Sequence, residues 1–112
     1  MNRVVNQVHL IGNLGQDPKL VKLEKSQKCE MSLATSEIHT NGDGEKVTET
    51  QWHKIVTWGK QAEVADKYLK KGSKIAVIGK LMHRSYEDKE GNTRYVTEVR
   101  MEDMLMLDKK AS

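Results

Sequence analysis

Thr50-Gln51-Trp52-His53-Lys54-Ile55-Val56-Thr57-Trp58-Gly59-Lys60-Gln61-Ala62-Glu63-Val64-Ala65-Asp66-Lys67-Tyr68-Leu69-Lys70-Lys71-Gly72 contains a change of period. Up to Trp58 the run is of β type. Strand side chains alternate between faces, so Trp52, Lys54, Val56 and Trp58 share one face of a regular strand. From Gly59 onward the spacing becomes helical: Ala62, Ala65 and Leu69, with Val64 and Tyr68 beside them, form one apolar stripe. Lys67, Lys70 and Lys71 fall in the last turn, where the helix dipole favours cations, and Gly72 suits the position just past a helix end. No other segment has helical spacing, so the fold is read around a single helix.

Outward from this stretch, period 2 dominates. Val4 to Gly12 reads as a first strand, and Gly12-Asn13-Leu14-Gly15-Gln16-Asp17-Pro18 as a loop. Leu20 to Ser36 holds a second strand, with Cys29, Met31 and Leu33 on its apolar face and Glu30 and Ser32 on the polar one. Asn41-Gly42-Asp43-Gly44 turns the chain into the tryptophan strand. A fourth strand spans Ser73 to Tyr86, with a bulge or bend expected at Gly79. Glu87 to Asn92 is a polar hairpin tip, and a fifth strand runs from Thr93 to about Leu107. The order is β-β-β-α-β-β. An all-β, five-stranded Greek-key barrel with one α-helix between strands 3 and 4 is the OB-fold. Residues 1–108 form this one domain, and 109–112 are a short C-terminal end.

The chain has 112 residues, enough for one core. Hydrophobic residues make up 37% and mean hydropathy is −0.70, with no apolar stretch near the ~20 residues that span a bilayer. The N-terminus lacks an apolar signal core, which points to the cytoplasm. A lone cysteine, Cys29, excludes an internal disulfide and reads as a small buried hydrophobe. Net charge +3 and a pI near 9.0 are compatible with a polyanionic partner, so the placement of the cations has to decide.

That placement is patterned. With no Phe, two Trp and three Tyr, large rings are scarce. Six residues at about 3.3 Å each separate Trp52 from Trp58 by roughly 20 Å, which suits successive stacked bases with a phosphate-binding Lys54 between. The fourth strand repeats the pattern, with Lys80, Met82, Arg84 and Tyr86 on one face opposite Ile75, Val77, Leu81 and His83. Core-facing sets do not alternate rings with charges, which favours a surface role for Trp52 and Tyr86. Trp58 stays open between a stacking ring and a partly buried one, because barrel bulges can switch parity. The four histidines lack zinc spacing, the carboxylates gather in turns, and Gly12 to Gly15 lacks the P-loop lysine. No metal, cofactor or catalytic arrangement is read.

The chain resembles the bacterial-type single-stranded DNA-binding protein family. The resemblance is carried by Val8-His9-Leu10-Ile11-Gly12-Asn13-Leu14-Gly15-Gln16-Asp17-Pro18, Leu33-Ala34-Thr35-Ser36-Glu37, Glu49 to Val56, Gly59 to Ser73, Gly79-Lys80-Leu81 and Arg94 to Val99. It implies base-stacking rings at Trp52, Trp58 and Tyr86, and a fourth ring position at or beside His39, where a histidine departs from the usual tryptophan. It also implies backbone-contacting cations at Arg3, Lys54, Lys60 and Lys71, a homotetramer, and an oligomer-interface role for His53. The acidic C-terminal tip common in the family has no counterpart in Asp108 to Ser112. Recruitment of replication and repair enzymes through such a tip is therefore not expected.

The expected function is sequence-tolerant binding and protection of single-stranded DNA in replication, repair and recombination, in the cytoplasm at the nucleoid. The alternative is an OB-fold paralogue acting mainly through protein contacts, as a primosome or DNA-uptake accessory factor. A small OB-fold enzyme is a third class, which no motif supports.

Overall fold

A computed structural model describes residues 3–108; the side chain of Arg3 and the short C-terminal end, 109–112, lie outside the described residues. A 3-10 turn, Arg3–Val5, leads into β1 (Val8–Leu14). There follow β2 (Lys19–Lys22), β3 (Gln27–Thr40), β4 (Lys46–Trp58), α1 (Lys60–Tyr68), β5 (Lys74–Glu87) and β6 (Thr93–Met106). β1 pairs with both β5 and β3, so the sheet closes on itself as β1-β5-β6-β4-β3. This is the expected five-stranded barrel with one helix, which lies between β4 and β5.

Three local expectations need correction, the first being the Val4 to Gly12 strand, which starts only at Val8 after the 3-10 turn and runs through Gly12 to Leu14. The second strand is interrupted at Leu23–Ser26, where Leu23 N donates to Ser26 O at 2.7 Å, so a short β2 doubles back on β3 outside the closed ring. The helix stops at Tyr68, with Leu69 already extended, and Gly72 (φ 91°) serves the following turn rather than the helix end. Between the tryptophan strand and the Lys80–Tyr86 strand lies β6, parallel to β4 and antiparallel to β5.

Inside the ring, Cys29, Met31, Leu33, Ile55, Ile75, Val77, Val99 and Met101 make the core. Ala62, Ala65 and Leu69 of α1 cover one end of it, and the two fully buried alanines let the helix approach closely. Closure needs glycine at two points. A Cβ on Gly12 would fall on the Ala34 carbonyl, and one on Gly79 on the Arg100 carbonyl. The pairing shifts between Ile78 and Gly79, leaving Glu102 of β6 unopposed, a bulge of the kind expected at Gly79.

The β3–β4 and β5–β6 hairpins run on past the core as arms. Side chains from Ser36 to Thr40 and from Lys80 to Glu87 are exposed. The radius of gyration of 16.3 Å exceeds the ~13 Å of a compact domain this size. Both arm tips have one design. Asn41 Oδ1 accepts the Asp43 and Glu45 N–H groups, and Asp88 Oδ1 accepts those of Glu90 and Asn92. A positive-φ glycine follows three residues on in each tip, at Gly44 and Gly91.

Candidate nucleic-acid interface

The β3–β4 pairing is continuous from Lys28↔Trp58 to Thr40↔Lys46, so strand parity holds over the whole run. Cys29, Met31, Leu33 and Ile55 fill the core side. Trp52, Lys54, Val56 and Trp58 therefore line the outer side, with Ala34, Ser32, Glu30 and Lys28 across from them. Past β6, the pairs Lys80↔Arg100, Met82↔Glu98, Arg84↔Val96 and Tyr86↔Arg94 carry the same outer face onto β5. The expected ring-bearing face exists, and it spans four strands.

Its rings differ in setting. Trp52 is 61% exposed, and its ring lies against Gly15, where a Cβ would meet Cζ3 and Cη2. Trp58 is 39% exposed, with Lys28 Nζ 5.8 Å from its ring centroid. Tyr86 is 48% exposed on the β5–β6 arm. Opposite it, Arg94 Nε donates to Asp88 Oδ2 at 2.9 Å. That hydrogen bond, reinforced by the Asn92 and Glu90 N–H groups, holds the Asp88 carboxyl below its ordinary range.

The cations between the rings are paired within the protein. Lys28 and Lys54 both reach Glu30, at 3.9 and 3.3 Å. Lys54 also lies 3.7 Å from Glu98, and Arg84 Nε donates to Glu98 Oε1 at 3.0 Å. Lys80 lies 4.0 Å from Glu102. Sequence patterning puts Lys54, Lys80 and Arg84 on the same face as the rings, where the structure has them, without revealing these partners. It also passed over Arg100, on the same face between Val56 and Lys80, which has no ion pair among the described residues. Trp58, Lys60, Lys80 and Arg100 line one open cleft of about 700 Å³. The signal for Arg100 was its parity with Glu98 and Val96, but its neighbour across β4 is set by a parallel pairing that no local pattern encodes.

Two expected residues lie elsewhere. His39 has the parity of Leu33, opposite to Trp52, and its Nε2 is 3.6 Å from Glu49. Ile38, 71% exposed, takes the matching place on the tryptophan side of the arm. Lys71 is exposed in the turn after α1, where its N–H donates to Asp17 Oδ1 at 2.8 Å. His53 points away from Trp52, as expected, and its Nε2 lies 2.9 Å from Thr35 Oγ1. Arg3 falls where its side chain is not described.

A closed five-stranded barrel with a capping helix, two hairpin arms and rings and cations on its outer sheet face defines an OB-fold protein of the kind that presents a stacking surface. The chain belongs to the single-strand binding protein family, whose family model matches residues 5–107. It is 42% identical to single-stranded DNA-binding protein 1 of Chlorobaculum tepidum, covering 100% of this chain and 70% of that one. Identity to single-stranded DNA-binding protein 1 of Xylella fastidiosa is 43%, over 95% and 79% of the two chains. Among solved structures, a Plasmodium falciparum SSB in complex with ssDNA superposes with a TM-score of 0.85 at 30% identity, over 96% of this chain and 100% of that one. A deletion mutant of the single-stranded DNA-binding protein from Thermus aquaticus gives 0.80 at 29% identity, over 92% of this chain and 50% of its own.

Proposed function

We propose that this protein binds single-stranded DNA without strong sequence preference, protecting it during replication, repair and recombination. The observation that carries the reading is the exposure of Trp52, Trp58 and Tyr86 on the same sheet face as Lys54, Lys80, Arg84 and Arg100. Indoles left open on a charged face have little to gain there from packing, whereas every base offers them a π-face. Lys60, at the cleft beside Trp58, extends the phosphate path toward the helix. Arg3, Lys71 and His39 stay as outlying contacts of a strand that wraps beyond this face.

The unit that fits is a homotetramer. Ile11 and Leu105, 50% and 63% exposed, flank Ala76 on the outer side of β1, β5 and β6, an apolar surface away from the rings. His53 serves an interface between copies rather than chemistry. The role is binding rather than catalysis, with no cofactor. DNA as partner and the bacterial relatives fit a place in the cytoplasm, at the nucleoid. The test is fluorescence anisotropy of labelled oligo-dT, competed by duplex DNA and by RNA. Preference for the single DNA strand supports the reading. Preference for RNA, or no binding, refutes it in favour of a paralogue working through protein contacts.

A further inference from the structure

Glu98 stands at the centre of the outer face with its side chain only 11% exposed. Oε1 accepts from Arg84 Nε at 3.0 Å, while Oε2 is buried without a hydrogen-bond partner, 3.7 Å from Lys54 Nζ. A buried carboxylate with one oxygen unsatisfied weakens a fold relative to an apolar side chain of similar size. It also engages two cations. It lies between β4 and β5, on the strand that separates them, and occupies both Lys54 and Arg84 at once.

The chain Lys28–Glu30–Lys54–Glu98–Arg84 links three cations through two carboxylates, leaving one net positive charge across the middle of the face. A guanidinium pairs with carboxylate and phosphate oxygens alike. Resting on the ssDNA-binding reading above, we propose that Glu98 is an internal competitor for the phosphates of the bound strand. A phosphate on Lys54 and Arg84 competes with the Arg84 Nε hydrogen bond and the Lys54 ion pair that Glu98 makes in the free protein. Glu98 thereby lowers affinity and lets a strand be released by a group already in place. It is a positioning residue that acts through Lys54 and Arg84.

Glu98→Gln keeps the shape and removes the charge. Each added phosphate neutralised steepens the salt dependence of single-strand binding by roughly 0.7 in log K against log [salt]. The variant should therefore bind oligo-dT about five- to tenfold more tightly at 50 mM salt, with the two curves converging near molar salt. Glu98→Asp keeps the charge and should retain the wild-type slope. Weaker binding by the Gln variant, or an unchanged slope, overturns the proposal. A readout on the wild-type protein covers the case in which the variant does not fold. The Arg84 Nε–H NMR resonance should shift when oligo-dT saturates the protein, and an unmoved resonance refutes the exchange of partners. If wild-type protein fails to bind oligo-dT at all, the functional reading fails and this proposal falls with it, whereas wild-type binding with an unchanged slope in the Gln variant overturns this proposal alone.

Discussion

The ring of Trp52 occupies the space that a Cβ on Gly15 would need. The Cζ3–Cη2 edge of the indole is thus set against the loop after β1 while the residue stays 61% exposed, an arrangement that limits how the ring can turn. Trp52→Ala should weaken oligo-dT binding by roughly 1–3 kcal/mol, the usual worth of one stacked base, with little change in melting temperature. Gly15→Ala should displace the ring and reproduce part of that loss. Unaltered affinity in a salt titration of either variant would separate Trp52 from the interface.

Arg100 is a cation on the outer face with no ion pair among the described residues, beside Trp58 in the cleft. Arg100→Gln should make the salt dependence shallower by roughly 0.7 and weaken binding most at low salt. A slope equal to wild type would place Arg100 off the strand's path.

The arm tip at Asp88 should be sensitive to acid. Its folded-state pKa is lowered, chiefly by Arg94, so its stabilising effect is present above the ordinary carboxylate range and is lost as pH falls through the depressed value. Asn41 makes the same two backbone contacts at the other tip, so Asp88→Asn should keep the turn and lose the acid response. Hydrogen exchange of the Glu90 and Asn92 amides as a function of pH checks this. Equal acid response in wild type and variant would contradict it.

The Cys29 thiol, fully buried in the core, is pushed up to about 11 by burial first and by Asp66 and Glu30 after it. It should resist alkylation at pH 8 in the folded protein and react only on unfolding. A raised folded-state pKa also means that stability declines as pH climbs from the ordinary thiol value through about 11. Rapid labelling under native conditions would show that the core opens at β3.

Much of this architecture is legible in the chain because period and parity are local. Alternation from Trp52 to Trp58 and from Lys80 to Tyr86 gives the outer face, and the single helical stripe of Ala62, Ala65 and Leu69 places the barrel cap. What local pattern does not carry is the neighbour across a non-consecutive pairing. Lys54 and Glu98 are 44 positions apart and meet only because β6 inserts beside β4, so cations that read as free are paired. The Leu23–Ser26 turn is not legible because it contains neither Gly nor Pro; it is closed by the Leu23 N–H to Ser26 O bond beside the Lys22↔Gln27 pair. The side of the arm on which His39 lies was available from its even spacing to Leu33.

The central claim is that both indoles stack on bases. Trp58→Phe leaves Trp52 as the sole indole, and Trp52→Phe leaves Trp58. Each variant should be titrated with oligo-dT at low salt while anisotropy reports saturation. The account predicts emission quenching in both, with the same midpoint as the anisotropy curve. A bound oligonucleotide that leaves either indole unquenched would contradict it.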